Sequence, residues 1–199
     1  MALSRQSEKQ LLRKEKLHER CSLDARQRAL ADHAILERLE ALPEYRAAKV
    51  IAAYASDGTE PDLMPLLKRA ASEGKTVCLP RCRRDLCYEM AAADGAFSLV
   101  EGKWKMPEPP PCAGTVPDSE LKSALWLVPG VAFDENGGRL GRGKGIYDRL
   151  LEHAAGIVAG IFYECQKTAA LPVEPHDRPL DLVVTERAVY RRKQQKPCA

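Results

Sequence analysis

No stretch of about 18 consecutive apolar residues occurs in this 199-residue chain, which excludes a membrane-spanning helix. No apolar segment follows the charged N-terminus MALSRQSEKQLLRKEK either, so that end does not read as a secretory signal. Internal repeats are absent. Charge of one sign is not in excess: 31 Lys and Arg oppose 28 Asp and Glu, and a net +3 does not argue for nucleic acid. Paired cysteine spacings are missing too. Cys21, Cys78, Cys82, Cys87, Cys112, Cys165 and Cys198 are odd in number, and no histidine stands near the 78–87 cluster. That pattern disfavours a zinc site and fits reduced thiols in a cytoplasmic protein. We expect a cytoplasmic monomer that meets neither membrane nor nucleic acid.

What is present suits a soluble globular protein. A chain of this length can bury about 70% of its unfolded surface. Hydrophobic residues make up 45% and charged residues 30%. The expected organisation is one domain over 1–190 with a polar tail over 191–199. Helices are expected over about 5–20 and through DARQRALADHAILERLEAL, capped by Ser22 or Asp24 and stopped by Pro43. KVIAAYA (49–55), TVCLP (76–80), LWLVP (125–129), GIVAGIFY (156–163) and LDLVVT (180–185) are short apolar runs suited to buried strands. Helical patterns lie between them, one running from Asp62 to Gly74 and one over about 145–153. Alternation of this kind predicts an α/β domain with a largely parallel sheet. The proline-rich segment 105–118 reads as an extended loop that covers something or lines a groove.

One segment carries most of the functional signal. GGRLGRGKGIYDR (137–149) packs five glycines and four cations into thirteen positions, in the loop that follows the strand LWLVP. Glycine lets successive N–H groups converge, and the cations add charge, so the loop suits a phosphate. Gly138 to Lys144 matches the core of a P-loop, but Gly145 stands where that motif needs the hydroxyl that holds Mg2+. The dinucleotide fingerprint fails as well, because the glycines fall at 141, 143 and 145. Asp148 is open to two readings at this point: a residue favoured by the positive end of a helix, or a Mg2+ ligand beside the phosphate cradle.

VPGVAFDENGGRLGRGKGIYDRLL (128–151) resembles the signature of the 5-formyltetrahydrofolate cyclo-ligase family, also called 5,10-methenyltetrahydrofolate synthetase. KQLLR (9–13), LPEYRAAKVIAAYASDGTEPD (42–62), VCLPRC (77–82), GKWKMPEP (102–109) and HDRPLDLVVTE (176–186) agree with it, in the family's order. The resemblance implies a three-layer α/β/α fold with a mixed, mostly parallel sheet. It implies ATP- and Mg2+-dependent closure of 5-formyltetrahydrofolate, possibly polyglutamylated, with release of ADP and phosphate. Such chemistry needs placement and charge neutralisation more than a protein nucleophile, since both nucleophiles belong to the substrate.

Carried over by position, the resemblance assigns ATP to Lys9, Arg13, Arg139, Leu140, Gly141, Arg142, Gly143, Lys144, Gly145, Ile146 and Tyr147. Lys144, Arg142 and Tyr147 would act on the reacting groups. The folate would meet Tyr54, Ala55, Glu60, Trp104, Arg142, Gly143, Lys144, Gly145 and Ile146, with Glu60 accepting hydrogen bonds from the pterin. Asp148 and Asp177 would hold Mg2+. Without the resemblance, Lys9 and Arg13 read as solvated helix cations, Glu60 as an exposed loop acid and Asp177 as a turn residue. Arg81 would serve either ligand or face solvent, and His176 is not expected to be a ligand. Ile146 departs from the family, which commonly carries an aromatic there. The competing readings are a non-catalytic nucleotide- or RNA-binding relative and a phosphotransferase for another small amide or carboxylate.

Overall fold

A computed structural model describes residues 5–152, 154–172 and 178–193. Helix α1 spans Arg5–Cys21 and α2 spans Ala25–Ala41. Asp24, one of the two expected caps, starts α2: its carboxylate accepts from the Gln27 N–H at 2.7 Å, and the Gln27 side chain accepts from the Asp24 N–H at 2.9 Å. Pro43 stops α2 and opens the short α3, Pro43–Ala47. Strand β1 (Val50–Ala52), helix α4 (Met64–Ser72), strands β2 (Thr76–Cys82) and β3 (Tyr88–Ala92) follow. Then come β4 (Val100–Glu101), β5 (Pro107–Glu108), α5 (Asp118–Leu121), β6 (Leu125–Val128), β7 (Ala132–Phe133) and β8 (Arg139–Leu140). The chain ends with α6 (Ile146–Leu150), β9 (Val158–Ile161), β10 (Leu182–Val184) and β11 (Val189–Arg191).

A seven-stranded sheet runs in the order β11-β10-β9-β6-β1-β2-β3. The five inner strands are parallel, and the two edge strands, β3 and β11, are antiparallel to their neighbours. The inner strands coincide with the apolar runs of the sequence because both faces of the sheet are covered. One face packs Ile51, Val77, Leu79, Leu125, Leu127 and Val184 against Ile35 and Leu39 of α2 and Leu66 and Leu67 of α4. The other buries Trp126, Val128, Val158 and Val183 with Phe133, Leu151 and Phe162. This second layer is thin. It consists of the short α5 and α6 and of the β7–β8 hairpin, whose Phe133 ring lies 4.9 Å from that of Phe162.

Several expected elements are shorter than their apolar runs. KVIAAYA pairs only through Ala52 and then leaves the ladder, so Tyr54 and Ala55 project beyond the strand end. The helix expected over about 145–153 is only α6. The 105–118 segment is not wholly loop, because β5 pairs with β4 and Thr115 bridges Ala91. Within the polar tail, Arg191 closes β11, and 194–199 lie outside the described residues. No described helix is long and apolar enough to cross a membrane.

Numbering only the parallel strands, their order is 2-1-3-4-5, with the reversal between β1 and β6. Such a reversal opens a crevice at the carboxyl ends of the two strands. Helix α1 lies across that end of the sheet. Arg20 donates to Gly130 O just past β6, Lys16 donates to Cys165 O past β9, and Arg13 donates to Gly141 O.

Candidate active site

The crevice holds a cleft of about 320 Å³. Tyr54 and Ala55 reach it from the end of β1, and Pro129 and Gly130 from the end of β6. Lys9 and Arg13 enter from α1, and Trp104, Met106, Pro107 and Glu108 from the β4–β5 arm. Arg139 to Asp148 form the remaining wall. Every residue that the sequence assigned to ATP, folate or the reacting groups therefore lies on one cleft, as does Asp148. Asp177 and His176 lie outside the described residues. Arg81 does not line the cleft: it bonds Glu89 at 2.5 Å and the carbonyls of Pro110 and Ala113, bracing β2 against the proline-rich segment.

The glycine segment divides its work. Gly137 and Gly138 belong to the β7–β8 turn, where the Gly137 carbonyl accepts from Leu180 N–H and the Gly138 N–H donates to Asp134. The cradle thus starts at Arg139 rather than at Gly137. Gly143 and Gly145 adopt φ of +84° and +64°, the left-handed region that a side chain disfavours, and this folds the backbone back around the cleft.

Two walls of different character result. One is cationic. The Arg139 guanidinium meets the Asp148 carboxylate at 2.5 Å and stands 5.7 Å from the Tyr147 ring, and Lys144 Nζ sits 4.5 Å from the Trp104 ring centre. Lys9, Arg13, Arg139, Arg142 and Lys144 face three cleft carboxylates, Glu60, Glu108 and Asp148, an excess that suits a polyanion. The other wall is largely apolar: Tyr54, Ala55, Pro80, Tyr88, Trp104, Met106 and Ile146. Burial raises the Tyr147 phenol, and the Glu60 charge adds to the effect, so Tyr147 remains a hydrogen-bond donor at neutral pH.

Glu60 is not an exposed loop acid. Its side chain is 6% exposed and lies 3.3 Å from Arg142 and 3.6 Å from Arg20. The resemblance gave Arg142 to both ATP and folate and Glu60 to the pterin; the structure pairs the two side chains with each other, and Arg142 with Asp57 as well. A buried carboxylate requires a cation close by, and the loop supplies one. Burial raises the Glu60 pKa and the neighbouring Asp57 adds to this; Arg142 and Arg20 offset only part of it. For Asp57 the balance is reversed. Burial pushes upward, but hydrogen bonds from Arg142 and Thr59 prevail and hold the carboxyl at about 2.

Among the described residues no three His, Cys, Asp or Glu side chains gather as a metal cage. A Mg2+ ion brought in on a triphosphate does not need one, since one or two carboxylates, phosphate oxygens and water complete its shell. Asp148, 53% exposed at the cleft rim, fits that role.

Sequence reading passed over Arg20, Asp57, Glu108 and Asp134. Arg20 had a signal. Lys9, Arg13, Lys16 and Arg20 follow one another at spacings of four, three and four, which puts all of them on one helix face. Only the first pair was singled out.

Comparison with known proteins identifies the family. The profile of the 5-formyltetrahydrofolate cyclo-ligase family matches residues 5–186. The chain belongs to the 5-formyltetrahydrofolate cyclo-ligase family. It is 32% identical to the probable 5-formyltetrahydrofolate cyclo-ligase of Schizosaccharomyces pombe, over 81% of this chain and 90% of the relative. It is 34% identical to the 5-formyltetrahydrofolate cyclo-ligase of Escherichia coli K12, over 77% of this chain and 86% of that one. The solved structure of Aquifex aeolicus 5,10-methenyltetrahydrofolate synthetase superimposes with a TM-score of 0.84 at 32% identity, covering 96% of both chains. The mixed, mostly parallel α/β sheet is thus the architecture of this family of ligases.

Proposed function

We propose that this protein closes 5-formyltetrahydrofolate to 5,10-methenyltetrahydrofolate, with ATP as co-substrate and Mg2+ as its ion. The observation that carries the reading is the two-walled cleft at the β1/β6 reversal, which sets a glycine-and-cation cradle against an apolar wall containing a buried carboxylate. The cradle suits a triphosphate and the apolar wall a ring system.

An N-formyl oxygen leaves poorly until it is phosphorylated. Transfer of the γ-phosphoryl group to that oxygen, followed by attack of N10 on the formyl carbon, expels phosphate and closes the ring. The chain's residues position and neutralise. Lys9, Arg13, Arg139 and Lys144 bind phosphate oxygens, and the N–H groups of 141–145 fix the cradle. Tyr147 donates a hydrogen bond near the transferred group, and Arg142 spans the two substrates. Tyr54, Ala55, Trp104 and Ile146 hold the folate, with Glu60 accepting from the pterin. Asp148 and Asp177 would hold Mg2+, which when bound neutralises charge on the transferring phosphoryl group.

Purified protein mixed with MgATP and 5-formyltetrahydrofolate should develop the near-ultraviolet absorbance of the methenyl product, dependent on both ATP and Mg2+. Absence of product refutes the reading. Phosphate release without methenyl formation would instead favour a phosphotransferase for another small amide or carboxylate.

A further inference from the structure

Behind the Glu60 wall of the cleft, helix α1 places an arginine that does not line it and that the mechanism above does not use. Arg20 is 1% exposed, one of the largest fully buried side chains of the described residues. It donates from Nη1 to Gly130 O at 3.2 Å and from Nη2 to Thr59 Oγ1 at 2.8 Å. Nη1 lies 3.6 Å from Glu60 Oε1, and Nη2 lies 3.7 Å from Asp57 Oδ2. A carbonyl and a hydroxyl could be satisfied by a neutral amide. A guanidinium buried this completely is retained at a cost unless anions face it, and here two do.

Two cations therefore share the same pair of acids, and they differ in freedom. Arg142 is 43% exposed on the glycine loop, within reach of whatever anion the cradle takes. Arg20 is tied at once to the end of β6 and to the acidic loop, so it stays behind the carboxylates when Arg142 turns to phosphate. We propose that Arg20 is a positioning residue for folate recognition, keeping the Glu60 carboxylate ionised and oriented when Arg142 engages the nucleotide. This rests on the reading of Glu60 as the acceptor for the pterin.

The charges around Glu60 give the sign of the effect. Asp57 on the same loop and burial favour its protonated form, whereas Arg142 and Arg20 favour the carboxylate. Tyr54 beyond β1 and Tyr147 of α6 also face it, and both phenols are raised by burial and stay neutral. Removing Arg20 therefore moves Glu60 protonation to higher pH.

The test compares Arg20→Met and Arg20→Lys with the unaltered protein, measuring KM for 5-formyltetrahydrofolate and for ATP from about pH 6 to about pH 9, a window above the ordinary carboxylate value. Arg20→Met should raise the folate KM by about tenfold or more at the acid end, the size expected from losing a charged partner. That defect should shrink as pH rises, while the KM for ATP changes little. Arg20→Lys should keep the unaltered pH profile. An unchanged folate KM, equal changes in both constants, or a loss independent of pH would overturn the proposal.

Should Arg20→Met fail to fold, adding Glu60→Gln should restore a cooperative melt, because the uncompensated acid is then gone. No restoration counts against the pairing. A readout independent of turnover is the carbon-13 resonance of the Glu60 carboxyl, identified by its loss in Glu60→Gln. It should titrate at higher pH in Arg20→Met and at its unaltered pH in Arg20→Lys, and an unmoved titration in Arg20→Met overturns the proposal. If the unaltered protein forms no methenyl product, the functional reading fails, yet this titration still decides the Arg20 assignment.

Discussion

The approach to the cradle hangs on one buried carboxylate, and its removal has a calculable cost. Asp134, 3% exposed, accepts three backbone N–H groups: Asn136 and Gly138 on Oδ1 at 2.9 Å, and Leu171 on Oδ2 at 2.8 Å. It closes the β7–β8 turn and ties that turn to the segment after β9. Asp134→Ala orphans all three donors. The Gly138 donor is fully buried and the other two are partly so. A buried orphan costs about 1–3 kcal/mol and a partly hydrated one about 1, so the expected loss is about 3–5 kcal/mol. For a chain of this size that corresponds to a fall of about 10 °C in Tm. Asp134→Asn should cost about 1–2 kcal/mol: its carbonyl can still take the two turn donors, but its NH2 then faces the Leu171 N–H. Urea unfolding at neutral pH, with the slope unchanged, measures both. An Ala variant within about 1 kcal/mol of the unaltered protein, or an Asn variant no better than Ala, would refute the reasoning.

Other residues give sharper functional tests. Lys144→Ala should lower kcat by about 100-fold or more, as loss of a phosphoryl clamp does, while calorimetric binding of 5-formyltetrahydrofolate stays near normal; equal losses in both would show the residue misassigned. Asp148→Asn should raise the Mg2+ needed for half-maximal turnover by about tenfold, whereas the half-exposed Asp148 side chain keeps an oxygen that can accept from Arg139, so the stability change should stay below about 1 kcal/mol. An unchanged Mg2+ requirement would remove Asp148 as a ligand. Asp57 has a pKa depressed to about 2, so its stabilising effect is full above the unfolded value near 4 and is lost as pH falls through about 2. Acid unfolding of Asp57→Asn should therefore show a weaker fall in stability across that window than the unaltered protein, and an identical fall would refute the pairing.

Legibility in the sequence followed the physics of each element. Strands β1, β2, β6, β9 and β10 could be read because both of their faces are buried, which makes them continuous apolar runs. Edge strands lack that signature. Tyr88–Ala92 is partly exposed and begins with Tyr-Glu, and Val189–Arg191 is followed by further cations, so neither shows a continuous apolar run. The hairpins β4–β5 and β7–β8 have two-residue strands, too short for any period to show. The cradle announced itself because glycine and charge together are rare between a buried strand and a helix. Arg20 and Asp57 did not, because a helix cation and a loop acid are ordinary apart. Only tertiary contact turns them into a buried pair.

The attachment of α1 carries the last expectation. Its buried side chains among those described are Lys16 and Arg20, whereas Leu11 is 58% exposed. The helix is therefore held on the sheet largely by cations donating to carbonyls, Arg13 to Gly141, Lys16 to Cys165 and Arg20 to Gly130, rather than by an apolar stripe. Burial of apolar surface is the main source of local stability, so a helix docked in this way should open more readily than the strands beneath it. The same helix supplies Lys9 and Arg13 to the cationic wall, so a triphosphate bound there should favour its docked state in proportion to its extra affinity for it. Amide hydrogen exchange should find α1 less protected than β1, β6 and β9, and MgATP should slow exchange in α1 more than in α2. Protection in α1 equal to that of the central strands, or unmoved by MgATP, would mean that docking of the helix and occupancy of the cradle are independent.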